Sequence, residues 1–205
     1  MFITFEGGEG SGKSFQSRKL YHHLIKDGYP ALLTHEPGGT LLGDAVTRWL
    51  KHSNAPISAV TELLLFNASR AQLLSQVITP ALNEGKVVVC DRYCDSTVVY
   101  QGHARGLDAG EIETVNRLAA GGLKPDLTFL LDIAPEAGLK RKSGTGGDRF
   151  EKEAASFHGR VRRGYLALAH AEPARWYILD ATRPKAELED IIWEKVSRSL
   201  KCLRT

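Results

Sequence analysis

The chain has 205 residues, of which 42% are hydrophobic and 25% charged, with a formal net charge of +3; these values are ordinary for a globular protein and fit one domain with a full core. The mild charge, without a basic run, gives no indication of nucleic-acid binding, and no apolar run approaches the roughly 20 residues of a membrane span. The cysteines Cys90, Cys94 and Cys202 fit neither a disulfide framework nor a zinc site, which indicates a reducing compartment. Together these features predict a cytoplasmic protein without nucleic-acid or membrane partners.

Strand and helix patterns alternate along the chain. Near-continuous apolar strands separated by helices indicate a parallel sheet that is covered on both faces. In such a sheet, ligands bind beyond the carboxyl ends of the strands, so we expect the functional residues there. The predicted strands are residues 2–6, 31–35, 87–90, 127–132 and 176–179, and the predicted helices are residues 13–27, about 152–171 and from about 184 onward.

A glycine-rich loop follows the first predicted strand. Residues 7–14, GGEGSGKS, fit G-x-x-x-x-G-K-[ST] between a strand and a helix, which is the context of a phosphate-binding loop, or P-loop. In such a loop, backbone N–H groups and the helix N-terminus would bind phosphate, Lys13 would reach the β- and γ-phosphates, and the hydroxyl of Ser14 would ligate Mg²⁺. The predicted ATP-binding residues of the loop are Gly7, Gly8, Glu9, Gly10, Ser11, Gly12, Lys13 and Ser14.

Further chemistry follows the third predicted strand. Asp91 comes directly after residues 87–90, where a carboxylate is placed to hold Mg²⁺ or its waters; capping of the next helix is the alternative. Arg92 emerges at the same edge, and arginine binds phosphate oxygens bidentately. Phe66 and Arg70 share one face of a predicted helix, where they either hold a base and a phosphate or form a core aromatic and a surface cation.

Residues 141–149, RKSGTGGDR, form a basic, glycine-rich connection between two predicted helices. Such a segment suits a lid, at about residues 141–150, that excludes water and brings positive charge to a transferring phosphoryl group. An ordinary exposed loop with solvated charges explains the same composition.

Motifs over nearly the whole chain point to one family. Residues 36–40 (EPGGT), 91–93 (DRY) and 100–102 (YQG) accompany the P-loop. In this combination the chain resembles the bacterial thymidylate kinases (dTMP kinases), which are P-loop nucleoside monophosphate kinases. The resemblance implies one domain over residues 1–205, a three-layer α/β fold with helices on both faces of a five-stranded parallel sheet in the order 2-3-1-4-5, and a homodimer.

The resemblance also implies the reaction, which is transfer of the γ-phosphoryl group of ATP to dTMP with Mg²⁺, giving dTDP and ADP. On the donor side, Arg141 and Ala181 would bracket adenine. Ser14 and Asp91 would hold the metal.

On the acceptor side, Glu9 would contact the sugar 3′-hydroxyl of dTMP, and Arg92 would grip its phosphate. Phe66 would stack on thymine, while Arg70 and Thr97 would read the base edge. The implied substrate-binding residues are Glu9, Glu36, Pro37, Phe66, Arg70, Arg92, Thr97, Tyr100 and Gln101.

The family divides by the position of its catalytic arginine. Some members carry it in the P-loop, but here that position is Gly10, which has no side chain. Members of that kind carry basic residues in the lid, where this chain has Arg141, Lys142 and Arg149. The predicted catalytic residues are Lys13, Arg92 and Arg149.

Other functions stay open at this point. A P-loop kinase of another nucleotide or nucleoside would share the P-loop and the lid but not the pocket around Phe66. A nucleotide-switch NTPase is a more distant alternative, although the chain has no Asn-Lys-x-Asp sequence for reading guanine. Intact Lys13, Ser14, Asp91 and Arg92 count against a non-catalytic relic.

Overall fold

The fold is organised around a parallel sheet. The computed structural model describes residues 1–53, 55–142 and 147–202. The strands are β1 (Phe2–Glu6), β2 (Ala31–His35), β3 (Val87–Asp91), β4 (Leu127–Asp132) and β5 (Trp176–Asp180). Over the described residues they form one five-stranded sheet in the order β2-β3-β1-β4-β5, which confirms the predicted fold class and strand order.

Strand β1 lies at the centre of the sheet and carries the P-loop at its end. Ile3 pairs in parallel register with Val89 of β3 and with Leu127 of β4. All five residues of β1 are buried, as expected for a strand that is covered on both faces.

Helices cover both faces of the sheet, and two short π-helical segments, Leu74–Ile78 and Val98–Ala104, follow α3 and α5. Within the described ranges, no helix is both long and apolar enough to cross a membrane. The helices are α1 (Lys13–Lys26), α2 (Leu41–His52), α3 (Ala59–Leu73), α4 (Thr79–Asn83), α5 (Cys94–Thr97), α6 (Ala109–Ala120), α7 (Pro135–Lys142), α8 (Ala155–Ala171) and α9 (Lys185–Cys202).

Two helix boundaries differ from the predictions in ways that affect the site. Arg141 and Lys142 belong to the last turn of α7 and not to a connection between helices; the lid itself stays a prediction. Helix α8 begins at Ala155 rather than at about 152, because Ala154 has an extended backbone. Residues 143–146 of the predicted lid lie outside the described residues.

The core consists of apolar layers on the two faces. On one face, α1 and α9 pack against the sheet, and the predicted stripe of α9 (Leu188, Ile192, Val196 and Leu200) is buried there. On the other face, α8 and the π-helical segment Val98–Ala104 form a second apolar cluster around Leu130 and Tyr165. The carboxyl ends of the strands are thereby held at one edge, where polar residues meet.

Candidate active site

A groove of about 1160 Å³ runs along the carboxyl ends of the strands. The P-loop from Glu9 onward forms one side, Asp91 and Arg92 come from the end of β3, and Lys142 comes from α7. Ligands of parallel α/β sheets bind at this edge, so the groove is the candidate site for the phosphoryl donor.

Lys13 lies inside the P-loop and is held by the loop's own backbone. Its Nζ donates to the carbonyl oxygens of Gly7 at 2.9 Å and Gly8 at 2.7 Å. The residue is only 7% exposed, and this burial lowers the pKa of Lys13 to about 8. An ammonium group so poorly solvated is strongly attracted to a polyphosphate placed beside it.

Ser14 and Asp91, the predicted metal ligands, meet at the mouth of the P-loop. The hydroxyl of Ser14 donates to the carboxylate of Asp91 through Oδ2. The other oxygen, Oδ1 of Asp91, is buried without a partner. A buried carboxylate oxygen without a partner is costly, and a hydrated cation would satisfy it.

The residues predicted to bracket adenine are adjacent. The Arg141 guanidinium donates through NH2 to the carbonyl oxygen of Ala181 at 3.0 Å, and both residues line the groove. The structure therefore brings the end of α7 to the loop that follows β5.

Two glycines bring α7 directly against the P-loop. An added Cβ at Gly10 would lie 1.9 Å from the carbonyl oxygen of Gly138, and one at Gly138 would lie 2.2 Å from that of Glu9. Real Cβ atoms do not approach backbone oxygen so closely, and Gly10 also has a φ of +66°, which favours glycine. Neither position accepts a side chain unless α7 moves away.

We expect Gly138→Ala to push α7 off the P-loop. The variant should lose about 1–3 kcal/mol of stability because backbone atoms clash, and its KM for ATP should rise. Urea unfolding and steady-state kinetics measure the two effects.

Gly159→Ala is the matched control. It also replaces a helical glycine, but its added Cβ meets only Arg163 NH1, at 3.5 Å. The control should be neutral or stabilised by up to about 1 kcal/mol. Equal behaviour of the two variants would contradict the steric contact.

A second pocket adjoins the groove, and all nine predicted substrate-binding residues line it. Sequence reasoning missed four further lining residues, Lys51, Ser96, Asp148 and Phe150. The lining residues that were predicted are Glu9, Glu36, Pro37, Phe66, Arg70, Arg92, Thr97, Tyr100 and Gln101.

Arg70 is a buried residue of this pocket, which excludes the surface-cation alternative. It is 2% exposed, and its Nε donates to Glu36 Oε2 at 2.8 Å. Its remaining N–H groups donate to Asn67, Asn116, the carbonyl of Tyr93 and the hydroxyl of Thr97. All five donors are engaged, so Arg70 fixes the positions of the groups around it.

Arg92 lies where the groove and the pocket meet. Its NH2 donates to Glu9 Oε1 at 2.8 Å and to the Tyr100 hydroxyl at 3.1 Å, and its guanidinium stacks over the ring of Tyr100. Its NH1 donates to the hydroxyls of Ser96 and Tyr165. Four hydrogen bonds thus orient the guanidinium towards both sites.

Glu9 connects Arg92 with α7. Its Oε2 accepts a hydrogen bond from Lys142 Nζ at 3.0 Å. Burial opposes the charge of Glu9, but Arg92, Lys13 and Lys142 together outweigh it and hold the pKa of Glu9 well below its usual range. An anion is therefore stabilised at the point where these cations converge.

Arg149 is not brought to this point. Its NH2 donates to the carboxylate of Glu62, which is 0% exposed and also accepts from Gln101 and Arg105. Arg149 lines a neighbouring groove with Arg105. Lys142, another basic residue of the predicted lid, contacts Glu9, and the sequence pattern does not distinguish it from Arg141 and Arg149.

Comparisons with known proteins agree with the fold and show the family. A family model described as thymidylate kinase matches residues 5–192. A thymidylate kinase of Dehalococcoides mccartyi is 54% identical over 203 residues, which is 98% of each chain, and one of Synechococcus is 48% identical over 98% of this chain and 97% of its own.

A solved structure is also similar. The crystal structure of thymidylate kinase from Ehrlichia chaffeensis has a TM-score of 0.75 and 35% identity, and the match covers 87% of this chain and 91% of that one. The chain therefore belongs to the thymidylate kinase family.

Proposed function

We propose that the chain transfers the γ-phosphoryl group of ATP to dTMP, giving dTDP and ADP. One observation carries the proposal: the groove at the P-loop and the pocket of predicted substrate residues share Glu9, Glu36, Pro37, Lys51 and Arg92 as lining residues. Donor and acceptor sites thus join at Arg92. Membership of the thymidylate kinase family supports the identity of the acceptor.

The acceptor pocket is narrow and has an aromatic wall. It encloses about 80 Å³, which is small beside typical ligand sites of about 300 Å³ or more. The ring centroid of Phe150 lies 5.8 Å from the ring centroid of Phe66 and 6.0 Å from that of Tyr100. Entry of thymine against Phe66 therefore requires Phe150 to move outward.

The residues present fit a bound Mg²⁺. A hydroxyl and a carboxylate with one unpartnered oxygen, from Ser14 and Asp91, face each other beside the P-loop. Mg²⁺ at kinase sites uses one or two protein ligands together with phosphate oxygens and waters. When bound, it neutralises charge on the β- and γ-phosphates.

Catalysis in this site consists of positioning and charge neutralisation. The acceptor is a phosphate anion, so no strong general base is needed. Lys13 exchanges the carbonyls of Gly7 and Gly8 for phosphate oxygens, and Arg92 holds the acceptor phosphate. Fixed cations in a partly dehydrated groove stabilise the charge that spreads over the transferring group.

A cation from beyond the P-loop completes the site, since Gly10 supplies none. Arg149 was predicted for this role, and it reaches the groove only by leaving Glu62. Lys142 already lies at Glu9 and lines the groove. The observed geometry favours Lys142.

A panel of nucleoside monophosphates tests the proposed function. ADP formation is measured in a coupled assay with ATP, Mg²⁺ and dTMP, dUMP, dCMP, dGMP or AMP. We expect the highest kcat/KM with dTMP. Preference for another monophosphate would favour the alternative kinase, and ATP hydrolysis that no monophosphate stimulates would favour a switch NTPase.

We propose that the active form is a cytoplasmic homodimer, built on exposed apolar residues of α2, α3 and α6. These helices pack side by side, and their outer faces expose Leu41 (93%), Leu64 (53%) and Leu118 (86%). Large exposed apolar side chains on packed helices suit an interaction surface, and closed two-fold dimers are the commonest assemblies.

Leu118→Asp should separate the dimer, because it places a charge on the shared face. Light scattering should report twice the chain mass for the wild type and a single chain mass for the variant at micromolar concentration. Lys124→Asp, on an exposed residue beyond the end of α6, is the control. A monomeric wild type would contradict the proposal.

A further inference from the structure

Glu6, the last residue of β1, is a buried carboxylate that the roles above do not use. It is 0% exposed and directly precedes the P-loop. A buried carboxylate costs free energy unless hydrogen bonds or charges compensate it, so its partners indicate what it is for.

Glu6 accepts three hydrogen bonds from groups around Arg92. Its Oε1 accepts from the backbone N–H of Tyr93 at 2.8 Å. Its Oε2 accepts from the hydroxyls of Ser96 at 2.7 Å and Tyr165 at 2.9 Å. The two hydroxyl oxygens also lie 2.8 Å apart, and with both protons directed at Glu6 neither hydroxyl donates to the other.

Each of these hydroxyls has one proton, which it donates to Glu6, so its oxygen lone pairs point away from Glu6. Both present them to Arg92, whose NH1 donates to Ser96 Oγ at 3.2 Å and to the Tyr165 hydroxyl at 3.0 Å. The carboxylate of Glu6 therefore fixes the direction of both acceptors of Arg92 NH1.

The backbone at Arg92 depends on Glu6 as well. Arg92 has a φ of +72°, a left-handed conformation that is unfavourable for a residue with a side chain. The next N–H along the chain, that of Tyr93, is the one bound by Glu6. Glu6 thus stabilises the strained turn at Arg92 through the N–H of Tyr93, and it orients the guanidinium through the two hydroxyls.

We propose that Glu6 is a positioning residue for the acceptor phosphate: through two hydroxyls and one backbone N–H, its carboxylate holds the guanidinium of Arg92 in the orientation that binds that phosphate. The inference rests on the proposed role of Arg92. Glu6 itself does not touch the substrate.

Glu6→Gln is the sharpest test, because it keeps the size of the side chain while it replaces one acceptor oxygen by an NH2 donor and removes the negative charge. In one orientation, the new NH2 group faces the N–H of Tyr93. In the other orientation, the NH2 group faces the hydroxyls of Ser96 and Tyr165. A hydroxyl that accepts from it must direct its own proton elsewhere, towards the guanidinium of Arg92. In either orientation at least one donor faces another donor, so the three hydrogen bonds that Glu6 accepts cannot all be replaced.

The assay is run at pH 8. Burial and the neighbouring charge of Asp95 raise the pKa of Glu6 to about 7, so the wild-type side chain is mostly ionised there. We expect the KM for dTMP to rise about 10- to 100-fold in Glu6→Gln, the range for disrupting hydrogen bonds to a charged group. The KM for ATP should rise less than that for dTMP, since Lys13 makes no hydrogen bond to Glu6 and feels only its charge.

Thr4→Val is the matched control on the same strand. Thr4 is also 0% exposed, and its hydroxyl bonds that of Thr128 at 2.8 Å. It should lower the melting temperature without changing either KM. With that result, loss of stability alone does not explain a rise in the KM for dTMP in Glu6→Gln.

Two results would overturn the inference: an unchanged KM for dTMP in Glu6→Gln, or equal rises in both KM values. Should that variant not fold, Tyr165→Phe decides, because it removes one linking hydroxyl and should raise the KM for dTMP about 3- to 10-fold. An unchanged KM for dTMP in Tyr165→Phe would then overturn the inference.

The proposed function has a separate readout, which is the choice of monophosphate by the wild type. The variant-to-wild-type ratio is measured with whichever monophosphate the wild type phosphorylates. A wrong substrate assignment and a wrong role for Glu6 are thereby distinguished.

Discussion

Lys13→Ala should lower kcat by about 10³-fold or more. Lys13 is the cation buried within the P-loop, and preorganised charge aimed at a developing negative charge is worth about 10²–10³ per donor in mutagenesis. The carbonyl oxygens of Gly7 and Gly8 hold its ammonium group in place. Single-turnover and steady-state kinetics with ATP and dTMP measure the loss.

Lys19→Ala is the control on the same helix. Lys19 is 44% exposed and pairs with Glu189 at the surface, where ion pairs contribute little. Its kcat should stay within about twofold of the wild type. A Lys13→Ala enzyme with near-normal kcat would show that the P-loop of this chain does not act on the transferred phosphoryl group.

Lys142→Ala should lower kcat by about 10²- to 10⁴-fold, near the range for a cation that stabilises the transition state of phosphoryl transfer. The reason is geometric: Lys142 meets Glu9 beside Arg92, whereas Arg149 meets Glu62 in another groove. Arg149→Ala should change kcat less than tenfold and mainly lower stability, because it removes one partner of the buried Glu62.

Lys140→Ala, on an exposed residue of the same helix, controls for loss of charge on α7. Thermal unfolding of all three variants separates structural from catalytic effects. If Arg149→Ala loses far more kcat than Lys142→Ala, Arg149 leaves Glu62 in the working enzyme and has the catalytic role predicted for it.

Sequence reasoning predicted the sheet well because its signals are local. Each strand is a short apolar run, and the strand order followed from the family resemblance and is confirmed. The gathering of nine residues into one pocket also came from that resemblance, because spacing alone does not bring Glu36 to Arg70, 34 residues away. The roles of these residues stay predictions.

What could not be predicted depends on packing between distant segments. Helix α7 ends at Lys142, a residue that the basic, glycine-rich composition assigned to a loop. The five partners of Arg70 come from four separate segments, and no local pattern shows that its donors are all engaged. The sequence indicates only that Glu6 is the last residue of a strand, because the fold alone brings its three hydrogen-bond donors to it.

The contact between Gly10 and Gly138 also restricts how such an enzyme can change over evolutionary time. An arginine at position 10 would collide with the helix that delivers Lys142. Placing a cation at position 10 therefore takes at least two coordinated changes, one to retract the helix that carries Lys142 and one to add the side chain.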